Sequence, residues 1–276
     1  MDIKSLQDIP PWDWPRDAGE RFRRVLIDRR ANESDRLAAA ELAGDMVVIN
    51  DELADSLMAI LRSADEPEEL RARAAISLGP VLEQADIDGF DDPDDVPISE
   101  RTFRDIQELF QKLYFDDSVP KEVRRRILEA SVRAPESWHQ NAIGTAYSSG
   151  DREWMLTAVF SMRWIRGFDD QILEALESAD PDIHYEAVEA AGNWGVAGAW
   201  SHVTAIVQDA GSPKPLLLAA IGAVAGIRPK EAVGILVDLT DSDDEEIAEA
   251  AEEAMSMAET NPDEEDDEEG GGEWIN

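Results

Sequence analysis

The chain has 276 residues and a formal net charge of −37, from 62 acidic against 25 basic side chains. Such a field disfavours direct binding to nucleic-acid phosphates, and the lack of any cysteine excludes disulfides, thiolate metal sites and a cysteine nucleophile. No stretch reaches the roughly 18 uninterrupted apolar residues of a membrane span, and the opening MDIKSLQDIPPWDW has neither the basic start nor the apolar run of an export signal, so a cytoplasmic protein is expected.

Taken in order, residues 1–15 hold three prolines and two tryptophans and read as an extended arm, its rings capping the first helix pair. A helix over 16–30 follows, then a second opened by Asn32 or Ser34, either of which can accept the free amides of a helix start. Helices over 51–62 and 66–83 form the next pair. Residues 84–100, QADIDGFDDPDDVPISE, then break the rhythm as an acidic insertion loop. Its carboxylates suggest calcium, but the spacing of Asp86, Asp88 and Asp91 lacks the glutamate that an EF-hand needs twelve residues in, so a mobile loop is expected. Beyond it come pairs over 102–115 and 118–132, 138–148 and 152–166, 170–177 and 181–195, 199–207 and 213–227, and 230–239 and 244–257. Residues 259–276, with their run of like charges and glycines, read as a disordered tail ending in Trp274-Ile275.

One phrase recurs in the second helix of each pair: an anchor, a small or apolar residue four later, another at eight and glycine at nine. It runs Asp35-Ala39-Ala43-Gly44, Leu70-Ala74-Leu78-Gly79, Ile183-Ala187-Ala191-Gly192 and Leu217-Ile221-Ala225-Gly226, with blurred copies from Val123, Trp154 and Ile247. A return every 30 to 35 residues or so predicts an all-α solenoid of about seven helical pairs over residues 16–258.

DPDIHYEAVEAAGNWG and EPEELRARAAISLGP resemble bacterial HEAT repeats of the short type also found in phycobilisome-lyase-related proteins. The resemblance spans most of 20–257 and implies architecture. It places Arg71 and Arg124 at the family's arginine after the anchor, which stitches neighbouring repeats. Some HEAT proteins hydroxylate a protein lysine through a di-iron centre held by His-Glu pairs. This chain has no His-Glu dipeptide and only His139, His184 and His202. Bilin-lyase action is an alternative by family association alone, and neither a phosphate loop nor a G-x-S-x-G elbow occurs. No enzyme activity and no cofactor or metal are expected.

HEAT stacks bind partners on the concave side lined by their second helices, so positions three, six and ten beyond each anchor become candidates. They are Arg73 and Ile76; Arg126, Glu129 and Arg133; Thr157, Phe160 and Trp164; Glu186, Glu189 and Asn193; Ala220, Ala223 and Ile227. Trp164 and Trp194 stand out because exposed tryptophan anchors many protein interfaces, while Trp138, Trp154 and Trp200 read as core. Trp274 offers a second contact, as a short motif on an anionic leash. Nineteen of the 25 basic residues lie before Ala134, in clusters such as ERFRRVLIDRR and KEVRRR whose simplest role is salt bridging. The expected function is a non-catalytic scaffold for a protein partner. The alternative is an acidic nucleic-acid mimic or chaperone that sequesters a basic partner with the more anionic second half.

Overall fold

A computed structural model describes residues 3–92 and 95–260, and among these it holds fifteen α-helices, four short 3-10 turns and no strand. The predicted tail, with Trp274, lies almost wholly outside the described residues. Two compact units divide the chain, Met1–Thr157 and Ala158–Asn276. No helix of the described residues is long and apolar enough to cross a membrane.

The first unit contains α1 (Ala18–Ile27), α2 (Glu33–Ala43), α3 (Asp51–Arg62), α4 (Glu68–Ile76), α5 (Gly79–Asp88), α6 (Glu100–Tyr114), α7 (Lys121–Ser131), α8 (His139–Tyr147) and most of α9 (Arg152–Ser161). Side-chain oxygens of Asn32, Asn50 and Ser99 accept amides in the first turns of α2, α3 and α6, while prolines cap α4 and α7. The second helices α2, α4 and α7 pack in succession, as do the first helices α1, α3 and α6.

Four expectations change here. The arm is not extended, since 3-10 turns occupy Lys4–Leu6 and Pro11–Asp13. Trp14 does cap: its indole donates to the Leu6 and Ile9 carbonyls and meets Phe22 edge-on at 5.3 Å, whereas Trp12 is 78% exposed. The helix expected over 66–83 breaks at Ser77 and restarts as α5, using Pro80 in its first turn, so helix replaces loop through Asp88. The end of the loop, residues 96–99, is tethered, because Val96 and Ile98 are buried and the Ser99 amide donates to Asp51 at 2.8 Å.

The second unit begins inside α9 and continues through α10 (Asp169–Leu176), α11 (Pro181–Asn193), α12 (Trp200–Gln208), α13 (Lys214–Ile227), α14 (Pro229–Leu236) and α15 (Glu245–Thr260). Its second helices α11, α13 and α15 again stack in order. Helix α9 stops at Ser161, and a turn carries the chain through Trp164 to Gly167, whose φ of 94° suits glycine alone.

The recurring phrase has a packing cause. The residue four beyond each anchor, Ala39, Ala74, Ile127, Ala158, Ala187, Ile221 or Ala251, is fully buried in every copy. Glycine at nine lets helices touch: a Cβ on Gly192 would lie 2.6 Å from Ala223 Cα, and one on Gly44 would strike the backbone of Ser77. The arginine directly after the anchor ties the two helices of its own pair in α2 and α4, and only in α7 is the position shifted. Arg36 and Arg71 donate to Leu26 and Leu61 carbonyls that end the preceding helices, at 2.9 and 3.1 Å. In α7 the buried arginine is Arg125, not Arg124.

Candidate protein-interaction surface

The second-helix face of the first unit opens into a groove of about 530 Å³ between α4 and α7. Arg73, Ile76 and Arg126, expected on this face, line it together with Ala72 and Glu122. Arg73 reaches Glu41 at 3.3 Å, and Arg126 holds Glu122 at 2.8 Å and Glu129 at 2.5 Å. A small apolar floor framed by half-exposed charge can receive an apolar side chain and bond the backbone around it.

Other predicted members turn inward. Arg133 lies beyond the end of α7, pairs with Glu83 and lays its methylene stem over Gly79. Glu129 and Thr157 are buried, 5% and 0% exposed. Thr157 Oγ1 donates to Glu129 at 2.6 Å and accepts from Arg125 Nε at 3.0 Å, while Arg125 also holds Glu122 at 2.6 Å. A charge network of this kind joins α7 to α9, and every member has a partner, as burial requires.

In the second unit, Phe160 and Trp164 pack at 4.9 Å between ring centroids, and both are half-buried. The Arg163 guanidinium lies 5.8 and 5.2 Å from the two rings and bridges Glu189 at 2.9 Å and Glu186 at 3.4 Å. Arg163 therefore pairs with both glutamates of the predicted face, and its single charge offsets one of their two. Counting from anchors missed it, although its fall between Phe160 and Trp164 was visible. Trp194 is less a free anchor than a strut: its indole donates to Met162 O at 2.6 Å, and Arg166 covers its ring at 4.6 Å. Asn193 is exposed, its amide 3.4 Å from the Arg163 carbonyl.

A groove of about 560 Å³ runs beside this cluster, lined by Arg163, Glu189, Asn193, Leu218, Gly222 and Met257, among others. Of the α13 positions expected to face outward, Ala220, Ala223 and Ile227 are buried. Ala223 nonetheless lines the groove, beside Leu218, Ala219, Gly222 and Gly226, and with Leu217 half-buried α13 is rotated relative to the count.

The three histidines serve elsewhere. His139 is enclosed, its Nδ1 accepting the Glu136 amide at 2.8 Å and its Nε2 meeting Ser131 Oγ at 3.0 Å. Burial pushes its pKa down to about 4, so the ring is neutral. His184 and His202 share one hydrogen bond of 2.8 Å. Burial, and then the neighbouring His202, lowers the His184 pKa. Among the described residues no group of three or more His, Cys, Asp or Glu is arranged to hold a metal ion.

A family model described as HEAT repeats matches residues 170–256. Over this stretch the chain is similar to HEAT repeats. The matched stretch contains α11 and α13, which line the second groove, and most of α15, ending one residue before Met257. No curated protein matches the chain. Solved structures similar to it include YibA of E. coli, at 17% identity over 92% of this chain and 85% of that one, with a TM-score of 0.47. Human deoxyhypusine hydroxylase in complex with glycerol is similar at 14% identity, 94% and 88% coverage and a TM-score of 0.41. A designed armadillo repeat protein is similar at 16% identity, 86% and 98% coverage and a TM-score of 0.34.

Proposed function

We propose that this chain is a non-catalytic scaffold that binds a partner protein along the faces of its second helices, without a cofactor. Its cysteine-free sequence supports placing it in the cytoplasm. The observation that carries the binding reading is the recurrence of half-buried or exposed apolar side chains in charge-rimmed grooves. Ile76 is such a side chain in the first unit, as are Leu218 and the 57% exposed Met257 in the second. The decisive experiment is quantitative affinity capture from the native cell. The chain with Leu218→Asp and Met257→Glu should lose partners that the wild type retains, and Ile87→Asp, an exposed site outside both grooves, should not. Equal capture by all three proteins would remove the proposal.

A second reading, capture of a basic partner, is favoured by the exposed acids of α15, Glu245, Glu249, Glu252, Glu253 and Glu259. Salt separates the two, since at about 1 M the Debye length falls to about 3 Å and an acid-driven complex dissociates, whereas one seated on Leu218 and Met257 persists.

A further inference from the structure

A third pocket in the first unit, of about 360 Å³, belongs to neither groove and lies where α6 ends, α8 runs and α9 begins. Its walls are rings. Tyr114 meets Phe115 edge-on at 5.1 Å and Trp154 edge-on at 6.1 Å, and Phe115 is 58% exposed at the rim. Across from them stand Asn141 and Thr145 of α8 and Arg124 of α7.

Arg124 differs from the arginines beside it. Arg125 is locked in the buried network, and Arg126 holds two glutamates. Arg124 instead lies 5.9 Å from the Trp154 ring centroid and touches Asp117 at 2.7 Å, a carboxylate whose side chain is 97% exposed. Its Nε–H is enclosed and meets no acceptor. An oxyanion could replace so exposed a carboxylate at little cost and engage the terminal nitrogens of the guanidinium.

We propose that this pocket binds a small planar aromatic acid, with its ring against Trp154 and its carboxylate on Arg124. Aromatic walls favour a flat ring by stacked or edge-on contact. The volume lies near the lower end of ligand sites, about 300 to 1,000 Å³, and so suits one or two fused rings. A monoanion is favoured over a phosphate because the protein's charge of −37 penalises each further negative charge brought to it. Tyr114, whose phenol burial pushes up to about 12, stays protonated and can donate to the ligand. Its present acceptor, the Ala142 carbonyl, is 3.5 Å away.

The test uses the full chain labelled with 5-fluorotryptophan and followed by fluorine NMR. Eight tryptophans are present, and Trp154→Phe assigns the reporting resonance. Indole-3-carboxylate should move the Trp154 signal saturably, and neutral indole-3-carboxamide should bind about tenfold more weakly or worse. Arg124→Gln should lose a similar factor while the other resonances stay dispersed. Should that variant fail to fold, Arg124→Lys keeps the charge without the fork and should bind at an intermediate strength. The proposal is overturned if Trp154 is unmoved by the carboxylate up to about 10 mM, or if the carboxamide binds equally well. Unchanged binding by a folded Arg124 variant would overturn it too.

Discussion

Thr157 and Glu129 share a 2.6 Å hydrogen bond between two buried side chains, and it closes the charge network between α7 and α9. Thr157→Val keeps the shape but leaves Glu129 one donor short, so it should destabilise the first unit by about 1–3 kcal/mol. Glu129→Ala removes the carboxylate that faces Arg125 and Arg126 and should cost about 3–5 kcal/mol. Urea unfolding of the two variants checks both values, and a double variant should lose less than their sum because the residues are coupled.

Gly192 and Gly222 test whether the ninth-position glycine is there for contact. A Cβ at Gly192 would lie 2.6 Å from Ala223 Cα, whereas one at Gly222, exposed in mid-helix, meets nothing within 4 Å. Gly192→Ala should therefore cost about 1–3 kcal/mol through forced backbone shifts. Gly222→Ala should stabilise by about 0.5–1 kcal/mol through helix propensity and a less flexible unfolded chain. Thermal unfolding of the pair, with midpoints moving in opposite directions, is the expected result.

The contrast between these glycines shows what was legible in the sequence. Position four of the phrase faces the core in all copies, so Ala39 and Ala251 share complete burial despite different neighbours. Local periodicity is sufficient to place such residues. Orientation at the helix margins is not local. Leu217 is half-buried, and α13 is turned so that Leu218 and Gly222 join Ala223 along the groove while Ala220 and Ile227 are buried away from it. Helix α9 ends before Trp164, and no count along a helix could place a ring that sits in a turn. Ion pairing escaped for the same reason: Arg163 finds Glu186 and Glu189 across more than twenty residues, and their pairing is a tertiary fact.

Trp194 should behave as a structural residue rather than an interface anchor. Trp194→Phe keeps a ring under Arg166 but loses the 2.6 Å bond to Met162 O, leaving that carbonyl without the indole donor. A loss of about 1–2 kcal/mol in stability is expected, with partner capture unchanged at temperatures where the variant is folded. Weakened capture at full stability would instead return Trp194 to the interface.

His139 makes stability depend on pH in a defined window. Its pKa is about 4 in the folded protein against 6.5 for the free side chain, so between those values the unfolded chain binds more protons. The contribution is present in full above about pH 6.5 and is lost as pH falls toward about 4, reaching at most about 3 kcal/mol at 1.36 kcal/mol per pKa unit. Many carboxylates titrate in the same range, so the wild-type curve alone does not isolate it. The difference between wild type and His139→Gln does, because glutamine fills the site without titrating. Urea midpoints measured from pH 7.5 down to pH 4.5 should converge for the two proteins as pH falls, and a constant gap would show that His139 does not titrate in that window.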